Sequence, residues 1–295
     1  MLNTCCQAGE PSQPRPTGSL DIDSLRGAVI IERDVVCGRA GDEPLKLDIV
    51  RPKKPSEKPR AVIVYIHGGS WRHGDKSNEI PRILPFAAEG DYFCVSVGYR
   101  LWPHATWPAQ IHDCKAAIRW LRANREKLNI DPDRIGAWGA SAGGHLASLL
   151  GTTSDVEKLE GKCGSPGHST RVKCVVSFSG PTDFTRLVDN NDPKYRTIIR
   201  AIEGLLGGPL RQHPEFVREA SPLGHVSKDA PPFLLVQGTE DPIVPAEQVT
   251  DFHEALRAAD VPSTLILLES NIHGSSIRQP DVVQRVRAFF DKHLK

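Results

Sequence analysis

Arg134-Ile135-Gly136-Ala137-Trp138-Gly139-Ala140-Ser141-Ala142-Gly143-Gly144-His145-Leu146-Ala147 is a short, mostly apolar run that passes straight into a turn of small residues and then into helix-forming sequence. The spacing predicts a strand over Arg134–Trp138 and a helix over Ala142–Leu150, with Gly139 to Gly143 as G-x-S-x-G between them. A serine at such a turn must take strained backbone angles to lift its hydroxyl above the sheet, and glycines on both sides let the chain fold back that tightly. The same alternation of β-branched runs and helix-length segments recurs outward in both directions. Strands are expected at Ala61–Ile66, Tyr92–Val97, Val172–Phe178, Pro232–Val236 and Thr264–Leu268. Near-continuous apolar strands separated by helices imply a mostly parallel, twisted α/β sheet with helices on both faces.

The helix candidates are Asn78–Glu89, Pro108–Leu128, Ala142–Leu150, Ala246–Ala259 and Asp281–His293. Upstream, Arg33–Cys37 and Leu45–Val50 flank the Gly41-Asp42 turn signal and read as an antiparallel edge hairpin. One stretch breaks the rhythm. Residues 181–230 carry many Pro and Gly and a helical patch at Tyr195–Leu206, which reads as a cap-like insertion after about the sixth strand. Its Leu187, Ile198, Ile202, Leu205 and Leu206 either line a pocket or anchor the insertion. Residues 1–20, dominated by Pro, Ser and Gly, read as a disordered or artificially appended arm, leaving residues 21–295 as one domain.

Composition excludes several function classes. Lys plus Arg is 37 and Asp plus Glu is 36, a formal net charge of +1 that offers no global field for nucleic acid or an anionic bilayer. The strongest apolar run, Ala61–Ile66, is far below the ~20 residues of a membrane helix. Residues 1–19 have no apolar h-region, so they do not read as a signal peptide; the compartment stays open, secreted or periplasmic if a signal was removed and cytoplasmic otherwise. Seven cysteines include no C-x-x-C pair and no zinc spacing, and Cys94 and Cys114 sit in apolar stretches suited to reduced, buried thiols.

A serine hydroxyl is a weak nucleophile, so Ser141 needs a histidine base and an acid to orient it, in the chain order serine, acid, histidine. The strand Pro232–Val236 leads into Gln237-Gly238-Thr239-Glu240-Asp241-Pro242, which makes Asp241 the leading acid and Glu240 the alternative. After the last strand comes His273-Gly274, which places His273 as the base. His145 lies inside the helix behind Ser141 and points the wrong way, so it reads as structural. The loop His67-Gly68-Gly69-Ser70-Trp71 follows Ala61–Ile66 directly. Its backbone N–H groups at Gly69 and Ser70, with that of Ala142, are candidate donors to a developing oxyanion, and Gly68 and Trp71 are candidate substrate contacts. Trp71 reads equally well as a pocket wall or as core, and His67 as a brace for the loop.

Taken together, these motifs resemble α/β-hydrolase-fold serine carboxylesterases, the branch related to bacterial acetyl xylan and feruloyl esterases and to hormone-sensitive-lipase-like esterases. The likeness covers residues 30–295 and rests on His67 to Trp71, Gly98-Tyr99-Arg100-Leu101, Ile130 to Ile135, Gly139 to Gly143, Gly180-Pro181-Thr182-Asp183-Phe184, Gly238 to Pro245 and His273-Gly274. It implies Ser141 as nucleophile, Asp241 and His273 as its partners, and Gly69, Ser70 and Ala142 as oxyanion donors. Tyr99, Arg100 and Asp113 resemble positions that fix loops near the site. Ser70 stands where the lipase-like relatives carry a third glycine. The resemblance implies hydrolysis of short-chain carboxylic esters, including acetyl or feruloyl esters of plant polysaccharide, with no metal or organic cofactor. The H-G-G-x-W loop also resembles that of arylformamidases, which cleave N-formylkynurenine and stand as the runner-up, and a catalytically dead binding protein is the remaining alternative. Natural ester, acyl-chain preference, polymer acceptance and oligomeric state are not written in the sequence.

Overall fold

The computed structural model describes residues 22–154, 156–270, 272–274 and 279–295; the expected arm lies outside them. Eight strands form one sheet: β1 (Val29–Ala40), β2 (Glu43–Pro52), β3 (Arg60–Ile66), β4 (Tyr92–Val97), β5 (Ile130–Ala140), β6 (Cys174–Phe178), β7 (Phe233–Gly238) and β8 (Ser263–Leu268). Their order is β1-β2-β4-β3-β5-β6-β7-β8. The β1–β2 hairpin joins antiparallel to β4, and every pair from β4 through β8 is parallel. The helices are α1 (Ile22–Gly27), α2 (Ile80–Ala88), α3 (Ala109–Ala123), α4 (Arg125–Leu128), α5 (Ala142–Thr152), α6 (Arg196–Leu206), α7 (Pro214–Glu219), α8 (Glu247–Ala258) and α9 (Pro280–Leu294).

Side-chain alternation along the strands builds two cores. Val62, Val64 and Ile66 of β3 face one of them, with α3, α5, α6 and α8 packed on it, while Ala61, Ile63 and Tyr65 face the other under α2 and α9. The six expected parallel strands and the hairpin are all present. The helix expected over Pro108–Leu128 is broken at Asn124, whose side-chain amide donates back to Trp120 O at 2.8 Å. That local bond competes with continuation of the helix, and α4 then ends at Asn129 in the left-handed region.

Between β6 and β7 the chain carries α6 and α7. Ile198, Ile202, Leu205 and Leu206 turn into the first core, and Leu187 joins them, so these residues anchor the segment. Burying such an apolar stripe is what holds a short helix in place. The Gln248 side chain accepts from Thr182 N and Asp183 N (2.9 and 2.8 Å) and donates to Asp183 O (2.9 Å), tying the start of the segment to α8. Parallel strand ends converge on one rim, where α/β sheets place their ligand crevices. Cys94 and Cys114 are buried free thiols, as their surroundings in the sequence suggested. Among the described residues no helix is long and apolar enough to cross a membrane.

Candidate active site

At the end of β5, Ser141 has φ 55° and ψ −123°, a conformation that L-residues avoid. The flanking glycines make it attainable. A Cβ on Gly139 would lie 2.1 Å from Gly143 O, and one on Gly143 would lie 2.0 Å from Ile66 O, so neither position has room for any other residue. Ser141 N donates to Phe178 O at 2.7 Å and His145 N donates to Ser141 O at 3.0 Å, which fastens the turn on both sides. Strand, turn and helix thus hold the hydroxyl at the sheet rim.

The loop after β3 lies against this turn: a Cβ on Gly68 would sit 3.3 Å from Ser141 Cβ. Gly69, Ser70 and Trp71 take positive φ in succession (113°, 53° and 54°). Arg72 N and His73 N both donate to Gly69 O, closing the loop. The N–H groups of Gly69 and Ser70 donate to no described residue. Ala142 opens α5, where the first amides have no intrahelical acceptor. Braces support the loop from below. The His67 ring lies 4.2 Å from that of Tyr99 in a stack, its Nδ1 is 2.7 Å from Gly68 O, and Tyr99 OH donates to His67 O. Burial lowers the pKa of His67, which keeps it a neutral brace. Arg100 in turn grips Asp113 through Nε (2.9 Å) and Nη2 (2.7 Å), fixing the strand end that carries Tyr99.

Asp241, in the loop after β7, is buried and accepts from Ile243 N at 2.9 Å and Val244 N at 3.0 Å. Its Oδ2 lies 2.7 Å from His273 Nδ1. Burial pushes the Asp241 carboxyl up, but the His273 hydrogen bond and attraction, with the two backbone donors, outweigh it and leave the pKa lowered. Glu240 is exposed. An ionised carboxylate can only accept, so the shared proton sits on Nδ1 and Nε2 of the neutral ring is the acceptor. That Nε2 is buried and bonds to no described residue.

Ser141 and His273 line one cleft of about 520 Å³ with Gly68, Gly69, Tyr65, Glu79 and Arg82. A larger hollow of about 660 Å³ at the β1–α2 edge holds neither residue, so size does not select the site. Ser70 borders a separate hollow with Trp102 and the outer face of α6. Trp71 corrects the substrate-contact reading: it is 1% exposed and lines neither space. The left-handed backbone at Trp71 accompanies an indole turned into the core, where it meets His145 edge-on at 5.1 Å and Phe184 at 6.0 Å. His145 is fully buried and structural, bonded through Nε2 to Ala220 O at 2.7 Å. The sequence reading missed Tyr65, Glu79 and Arg82; the only hint was the helical spacing of an acid and a base near the start of α2.

The sheet order, the strained serine turn and the position of each loop define an α/β-hydrolase fold. A model of the BD-FAE family matches residues 47–256, and the chain belongs to that family. It is similar to Esterase LipC of Mycobacterium tuberculosis, 36% identical over 74% of this chain and 54% of the relative. The chain therefore spans about half the length of that protein. Among solved structures, a bifunctional GH43-CE protein of Bacteroides eggerthii superposes with a TM-score of 0.80 at 30% identity, covering 90% of this chain and 38% of the other. A truncated carbohydrate esterase from gut microbiota gives a TM-score of 0.77 at 28% identity, covering 90% of this chain and 96% of the other.

Proposed function

We propose that this chain hydrolyses short-chain carboxylic esters through an acyl-enzyme on Ser141. The observation that carries the reading is the Asp241–His273 pair, whose unpartnered Nε2 shares a cleft with a serine held in a strained turn. Nε2 takes the Ser141 proton as Oγ attacks the ester carbonyl, and Asp241 stabilises the imidazolium that forms. The developing oxyanion is received by the N–H groups of Gly69, Ser70 and Ala142, and one such donor is worth ~3 kcal/mol in the transition state. The C–O bond then breaks, the proton passes from Nε2 to the leaving alcohol oxygen, and the acyl group stays on Ser141. Water, deprotonated by the same Nε2, releases the acid and restores the hydroxyl.

Acetyl or feruloyl esters of plant polysaccharide are the natural substrates we favour, supported by the family and by the carbohydrate-esterase likeness. Residues 181–230 act in this reading as a cap over the neighbouring hollow that Ser70 borders. The test compares p-nitrophenyl acetate, methyl ferulate, acetylated xylan and N-formylkynurenine at matched enzyme concentration. Turnover of the esters with little of the formamide is expected. Preference for N-formylkynurenine would make the chain an arylformamidase, and no turnover of any ester would leave it a binding protein.

A further inference from the structure

The cleft that holds Ser141 and His273 is also lined by Glu79 and Arg82, which the chemistry above does not use. Glu79 closes the short turn Lys76–Glu79, and Arg82 follows one turn later in α2, so both side chains project to the same side. Arg82 Nε donates to Glu79 Oε2, and the two side chains are only 25% and 16% exposed. This single bond uses one nitrogen of the guanidinium and leaves its terminal nitrogens without a hydrogen bond to any described residue. Tyr65 also lines the cleft, with the Arg82 guanidinium 5.9 Å from its ring centroid. Its hydroxyl is buried, makes no hydrogen bond of ordinary geometry, and has the Glu79 carboxylate as its neighbouring acceptor; burial first, and then that contact, raise its pKa.

The position of this wall says which part of an ester it would meet. His273 Nε2 must deliver its proton to the leaving oxygen, so the alcohol portion occupies the cleft that Nε2 faces. The wall presents a carboxylate that accepts and a guanidinium that donates, with no net charge. An anionic alcohol would meet Glu79, and a plain alkyl group would cover paired charges while offering them nothing. Adjacent hydroxyl groups on a neutral ring satisfy both kinds of partner.

We propose that Glu79 and Arg82, over Tyr65, form a subsite for the hydroxyl groups of the leaving alcohol, so that a polyhydroxy alcohol is selected by its alcohol part. The inference rests on the serine-esterase reading and names residues that determine specificity within it. Its test uses two esters with the same acyl group, mono-O-acetyl xylose and ethyl acetate, which pass through the same acetyl-enzyme. For Glu79→Gln, kcat/KM on the acetylated sugar should fall at least tenfold more than on ethyl acetate, mainly through KM. Arg82→Lys, which keeps the charge and loses the fork, should shift the ratio in the same direction and serves as the second readout should Glu79→Gln not fold; thermal melting identifies folded variants. Equal factors on both esters, or a wild type that prefers ethyl acetate, would overturn the subsite. If the wild type turned over neither ester while remaining folded, the esterase reading itself would fall, and the subsite with it.

Discussion

The turn that carries Ser141 and the loop that carries His273 hold their side chains by different physics. Around Ser141 the backbone itself is the clamp: two glycines at impossible distances for any Cβ, amide bonds on both sides, and buried His145 behind. His273 is held instead through one carboxylate, which is fixed by the backbone donors of Ile243 and Val244. The first arrangement fails by unfolding, because its contacts are part of the core. The second fails by losing chemistry while the fold survives, because the contact is a single side-chain pair at the rim.

Substitutions separate the two kinds of failure. Ser141→Ala removes only the reacting oxygen, so ester turnover should drop by about 10⁶-fold, equivalent to about 8 kcal/mol, with the melting temperature preserved. Steady-state kinetics and calorimetry on the same sample check both halves, and retained activity would move the nucleophile elsewhere. Asp241→Asn should lower kcat by about 10⁴-fold, because an amide can donate to Nδ1 and turn the ring to the wrong tautomer. Near-wild-type melting should accompany that loss. Gly143→Ala is the converse: its Cβ would fall on the Ile66 carbonyl, so the expected result is a destabilisation of about 4 kcal/mol or more, read by denaturant unfolding. A stable, soluble Gly143→Ala protein would show that the turn is less clamped than its contacts imply.

The smallest effect concerns pH. Burial lowers the His145 pKa to about 4, against about 6.5 in an unfolded chain. Between those values the unfolded state binds more protons, so stability should be complete above about pH 6.5 and decline as pH falls toward 4, by about 3 kcal/mol in total. Urea midpoints at several pH values should trace this slope, and His145→Gln should flatten it. No difference between the two proteins would remove His145 from the acid sensitivity of the turn.

The sheet and the serine turn were legible because both depend on local pattern: buried parallel strands are apolar on both faces, and Gly139 and Gly143 are demanded by the turn they flank. The contact between Asp241 and His273 follows from their places after β7 and β8. Trp71 was not legible, since nothing local tells an indole that walls a cleft from one that enters the core; its direction follows from how the β3 loop meets α5. The same holds for Ile198 and Ile202, whose spacing marked a buried stripe without saying what would bury it. Glu79 and Arg82 were hidden because an acid and a base three residues apart usually form a solvated helix pair, and only the packing of α2 across β4 and β2 brings them to the cleft.

The central claim is that Ser141 is a nucleophile activated by His273. Incubation with a serine-directed fluorophosphonate, followed by peptide mass spectrometry, tests it most directly. The expected result is one stoichiometric adduct on the peptide containing Ser141, formed far more slowly in folded His273→Ala protein. An unlabelled Ser141 peptide, or labelling at the same rate without the imidazole, would contradict it.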